Sequence, residues 1–104
     1  MKDEAEYIVE QAALAHREGR LADAEKAYLD LLSEKPDSGS VLNALGTVFL
    51  DQSQPDKAKT CFEKAASLNP PDLSACYNLG RLKQMAGDDK GAIDIYRAIV
   101  KRQP

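Results

Sequence analysis

Tryptophan is absent from this sequence, histidine occurs once and cysteine only twice. Two cysteines, Cys61 and Cys76, with no CxxC pair cannot build a disulfide framework. With His16 as the only histidine they also fall short of an ordinary zinc ligand set. No metal and no cofactor is therefore expected, and the two thiols read as apolar groups of a core. A basic excess is missing as well. Lys and Arg number 14 against 17 Asp and Glu, for a net charge of −3. Nucleic-acid binding rests on a basic surface, so no nucleic-acid partner is expected. No apolar run approaches the roughly 20 residues that cross a bilayer. The opening "MKDEAEYIVEQ" carries acids where a signal peptide would carry its apolar segment, so the expected location is cytoplasmic, with no membrane partner. A phosphate loop is absent too. Gly87 and Gly91 lack both a preceding strand and a GK[ST] ending.

What remains is rich in helix-forming pattern. The 104 residues, 43% hydrophobic and 30% charged, suit one folded domain with a modest core. Pro36, Pro70 and Pro104 stand 34 apart, as do Ala24, Ala58 and Ala92, and Tyr28, Phe62 and Tyr96. Gly46 and Gly80 share the period, with small Ala12 one step earlier. Four residue classes repeating together mark an internal repeat. Ala24, Ala27, Tyr28, Leu31 and Leu32 form an i, i+3, i+4, i+7, i+8 stripe. Ala58, Cys61, Phe62, Ala65 and Ala66 repeat it, and so do Ala92, Ile95, Tyr96, Ile99 and Val100.

A second helix precedes each stripe. It carries Ile8, Ala12 and Ala15, then Leu42, Leu45, Gly46 and Phe49, then Cys76, Leu79 and Gly80. Gly19 and Gly87 suit helix C-termini, and Pro55 a first turn. Ser38 and Asp72 are expected N-caps, while Lys35 and Asn69, each before a proline, should end their helices. The reading is six helices, near 4–18, 21–34, 40–52, 56–68, 73–86 and 89–102.

The segments "LNALGTVF" with "AKTCFEKAASLNP", and "CYNLGRLKQMAGD" with "AIDIYRAIVKRQP", resemble the tetratricopeptide repeat family. "YIVEQAALAHREGRLADAEKAYLDLLSEKP" is similar in its second helix and less so in its first, where Gln11 and Ala12 replace the usual Leu and Gly. In the third unit Lys83 replaces a usual aromatic. The resemblance implies an all-α superhelix of three helix-turn-helix units, 5–38, 39–72 and 73–104, forming one domain with nearest-neighbour contacts. It also implies a concave groove lined by the first helices, fit for a peptide or protein segment. The expected groove residues are Val9, Ala13 and His16; Asn43, Thr47 and Leu50; and Tyr77, Asn78, Arg81 and Gln84. Glu6, Arg17, Ser40, Asp51 and Ser74 face the same way.

The family's best-known ligands are acidic C-terminal tails of heat-shock chaperones, held by a clamp of two Lys, two Asn and an Arg. The matching positions here are Val9, Ala13, Ala44, Ser74 and Asn78. None keeps its residue type, so such tails are not expected to bind. Nor is an asparagine ladder kept. Asn78 stands at its rung, but Glu10 and Ala44 do not.

No catalytic constellation is expected. Helical spacing forces no Asp or Ser beside His16, and Tyr77 with Arg81, i and i+4, reads as a peptide contact or a local cation–π pair. Ile93, Tyr96 and Val100 lie on the last helix with no solvating helix after it, which implies either a following helix or self-association. The reading is a noncatalytic interaction module, an adaptor or recruitment part of a larger protein. The alternatives are the N-terminal arm of an enzyme, such as a glycosyltransferase or methyltransferase, or a small secretion-type chaperone.

Overall fold

The computed structural model describes residues 1–102. Pro104, the third proline of the period, lies outside them. Six helices run in order: α1 (Glu4–Arg17), α2 (Leu21–Glu34), α3 (Gly39–Asp51), α4 (Pro55–Ala66), α5 (Leu73–Met85) and α6 (Asp89–Arg102). They match the spacing-derived helices to within two residues at each end.

Each first helix ends in the same way, and the reason is local. In α1 the Gly19 amide donates to the His16 carbonyl and the Arg20 amide reaches back to Ala15 at 2.8 Å. Ser53 with Gln54, and Gly87 with Asp88, repeat both bonds at the ends of α3 and α5. This is a Schellman motif, and its C′ residue must be left-handed. Gly19 and Gly87 stand there at φ 80° and 86°, whereas the middle unit holds Ser53 at φ 60°. A serine Cβ is strained in that region. Ser53→Gly should therefore raise stability by about 0.5–1 kcal/mol once glycine's extra chain entropy is subtracted. A higher urea midpoint, with unchanged slope, is the expected reading.

Caps set the starts of the first helices. The Asp3, Ser38 and Asp72 side chains accept from the Glu6, Val41 and Ala75 amides, so both expected caps are in place. One boundary differs. The helix expected over 56–68 stops at Ala66, with Ser67 as C-cap. Pro70 and Pro71 have no amide to offer. The next free N–H, that of Asp72, folds back onto the Ala65 carbonyl at 3.1 Å, and the Ser67 hydroxyl donates to Glu63. The freed carbonyls are satisfied sooner than the proline rule implies.

The periodic alanines Ala24, Ala58 and Ala92 are all buried, as are Tyr28 and Phe62. Gly46 lies under the Phe62 ring, and Gly80 under the ring of Tyr96. Val100 breaks the pattern. Its equivalents Leu32 and Ala66 pack against the core, but it is 70% exposed, because nothing among the described residues covers that side of α6.

Each hairpin packs internally, and α2 packs on α3 and α4 on α5. The backbones of first helices also approach their neighbours, α1 to α3 and α3 to α5, while those of α2, α4 and α6 stay farther from one another. Helices that meet on one side and splay on the other make a curved array. The first helices therefore line the inside of the curve.

Candidate functional site

Two side-chain pairs bridge neighbouring first helices on the inner face. His16 Nε2 lies 2.5 Å from Asp51 Oδ2, joining α1 to α3. Asn78 Nδ2 donates to Asn43 Oδ1 at 2.9 Å, joining α5 to α3. Both pairs are 35 residues apart, one more than the repeat. The sequence reading put no acid beside His16. The structure corrects this, because the acid arrives from the next unit rather than from the same helix. The arrangement is a cross-link. Among the described residues neither a hydroxyl nor a thiol bonds the histidine, as a nucleophile activated by it would.

The other expected groove residues divide. Thr47 turns its hydroxyl to the Ala44 carbonyl at 2.7 Å, and Leu50 packs against the core, so both do structural work. Ala13 is half-buried. Tyr77 and Arg81 are exposed, but Tyr77 does not form the expected pair with Arg81. Its ring meets that of Tyr96, with centroids 5.7 Å apart and planes tilted by 41°. Tyr96 is thereby corrected as well. It was expected on the open face with Ile93 and Val100. Instead it tucks over Gly80, and its hydroxyl donates to Gln84 Oε1 at 3.3 Å. The open face retains Ile93 and Val100.

Clefts flank this face. One, of about 510 Å³, is lined by Leu73, Ser74, Tyr77, Asn78 and Ile99. Another, of about 440 Å³, opens where the first two units meet and includes Val9 from the expected set. Its floor holds Leu31 and Val41, and Asp3, Glu6, Glu10 and Lys35 stand around it. Sequence reasoning missed this cleft because Leu31 read simply as core and Val41 fell in neither the apolar stripe nor the groove set. The acids crowding the first ten residues were its visible sign.

The thiols are poorly suited to nucleophilic work. Burial pushes Cys61 above its ordinary range, with nearby Lys64 opposing. Burial, followed by the Asp72 carboxylate, does the same for Cys76. Both are thiols rather than thiolates at neutral pH. Among the described residues no three His, Cys, Asp or Glu side chains converge as metal ligands would, and no helix is long and apolar enough to cross a membrane.

Three stacked helical hairpins, curved so that their first helices share an inner face, define a helical-repeat solenoid, an architecture that presents an extended concave surface. The family model described as tetratricopeptide repeat matches residues 43–104, and the chain belongs to that family. Members of this family are protein–protein interaction modules, generally noncatalytic scaffolds. Among curated proteins it is similar to the cytochrome c-type biogenesis protein CycH of Bradyrhizobium diazoefficiens, 32% identical over 96 residues. That match covers 89% of this chain and 26% of CycH, so the chain spans about a quarter of that relative's length. Among solved structures it resembles MamA, with a TM-score of 0.84 at 18% identity, covering 93% of this chain and 57% of that one. The tetratricopeptide domain of Sgt2 from Aspergillus fumigatus also superimposes with a TM-score of 0.84, at 22% identity, covering 96% of this chain and 66% of that one. These two likenesses bear on the fold.

Proposed function

We propose that the inner face of α1, α3 and α5 binds a segment of another protein, and that the chain serves as a noncatalytic recruitment module. What supports this reading is the curvature, which turns α1, α3 and α5 toward one another, with Asn43 of α3 bonded to Asn78 of α5 and Tyr77, Arg81 and Gln84 exposed on α5. Asn78 spends one amide donor on Asn43, which leaves the Asn43 amide group and the Asn78 carbonyl to meet a peptide backbone. The test is affinity capture with Tyr77→Ala/Arg81→Ala as the control. Both side chains are exposed, so the variant should fold, losing about 1 kcal/mol from the tyrosine pair. Captured partners should drop by about tenfold or more, the effect of removing a central anchor. A variant that keeps every partner would falsify the groove assignment.

The likeness to CycH favours one further specification: the recruited segment belongs to the assembly of c-type cytochromes. Identification of the captured chains tests it, and a partner set without any cytochrome-assembly component counts against it.

A further inference from the structure

The chemistry of the bound segment follows from the cleft between the first two units. Its volume, about 440 Å³, lies in the range of pockets that take small ligands or anchoring side chains. Leu31 and Val41 form the floor, and Val9, 37% exposed, forms a wall. Asp3, Glu6 and Glu10 surround the mouth. Asp3 is engaged as the cap of α1, and Glu10 pairs with Lys2. Lys35 is the one base in the lining. The surrounding charge has the same sign. Of the helices that line the inner face, α1 holds three acids against one base, whereas α5 holds no acid and two bases. The groove therefore runs from an acidic end to a basic one. The cleft beside Tyr77 and Asn78, at the basic end, has no acid in its lining.

We propose that this cleft receives an apolar side chain of a partner polypeptide flanked by lysine or arginine. The assignment rests on the groove reading and names the ligand that the acidic end selects. The apolar side chain leaves water for the floor of Leu31, Val41 and Val9. The flanking cation meets Glu6, the mouth acid that is neither capping a helix nor paired with Lys2, an attraction between exposed charges that salt screens. The same polarity orients the segment, with its basic part on the first unit and any acidic part toward Arg81.

A phage-displayed library of random dodecapeptides, panned against the protein, tests this without assuming a natural partner. Enriched peptides should share an aliphatic or aromatic residue beside Lys or Arg. Their affinity should fall by about tenfold in Glu6→Lys and in Val9→Glu, and severalfold when salt rises from about 0.05 M to about 0.5 M. Both positions are exposed, and unchanged melting curves verify the fold of the variants. Peptides that are acidic, or that weaken only in Tyr77→Ala/Arg81→Ala, overturn the basic–apolar assignment while the groove reading survives. Peptides indifferent to all four substitutions, or no enrichment at all, overturn both.

Discussion

Gly46→Ala is expected to lower stability by about 2 kcal/mol and the melting temperature by roughly 10 °C, whereas Gly80→Ala changes it little. A Cβ on Gly46 would stand 2.8 Å from Phe62 Cδ1 and Cζ, with Cε1 nearer still. Phe62 is fully buried, so its ring has nowhere to move. Such overpacking belongs at the top of the usual range of about 1–3 kcal/mol or beyond it, and alanine's better helix propensity returns only about 1 kcal/mol. At Gly80 the added Cβ meets Tyr96 Cε1 at 2.6 Å, nominally as severe. That ring is half-exposed, however, and can swing outward, giving up its contacts with Tyr77 and Gln84. The concession is about 1 kcal/mol, close to what propensity returns. Thermal denaturation of the two variants decides the matter, and equal losses at both positions would contradict this account.

Phe62→Ala carries the larger loss, about 3–5 kcal/mol. Phe62 is the largest fully buried side chain and lies in the middle unit, on which both neighbours stack. Against a total stability of about 5–15 kcal/mol, this brings the protein near its unfolding limit at physiological temperature. A second effect separates cavity formation from general weakening. Once the ring is gone, Gly46→Ala should stop being harmful and turn neutral or stabilising, a coupling of about 2 kcal/mol or more. Urea midpoints of the wild type, the two single variants and the double variant measure it. Additive losses would show that Gly46 and Phe62 do not share the same space.

The residues that announced the fold in the sequence are those whose size is dictated by packing. Ala24, Ala58 and Ala92 are small because their helices crowd there, and Gly46 and Gly80 are bare because a ring occupies the space of a side chain. Close packing repeats unit by unit, so it leaves a period that can be read. The inner face left no such trace. His16–Asp51 and Asn43–Asn78 are neighbours because adjacent first helices are rotated and shifted relative to each other, and helical spacing within one unit carries no information about that angle. Ser53 lay between. Gly19 and Gly87, placed symmetrically around it, implied a left-handed residue at the midpoint, but a serine there hides the signal. Tyr96 was misplaced for a different reason. An i, i+3, i+4 stripe tells that a side chain is apolar and on a given face, but not that the neighbouring glycine will draw it inward.

The three equivalent turns that close the first helices also limit how such a chain can change in length. One residue inserted within α3 would rotate everything after it by about 100° about the helix axis, carrying Gly46 away from Phe62 or Val48 out of the core. Thirty-four residues inserted as a block would restore the same turn, the same small residue and the same ring in the same order. Growth by whole units is neutral to the architecture, while growth by single residues within a helix is ruinous. A duplication of this kind would lengthen the inner face without reshaping the part already present.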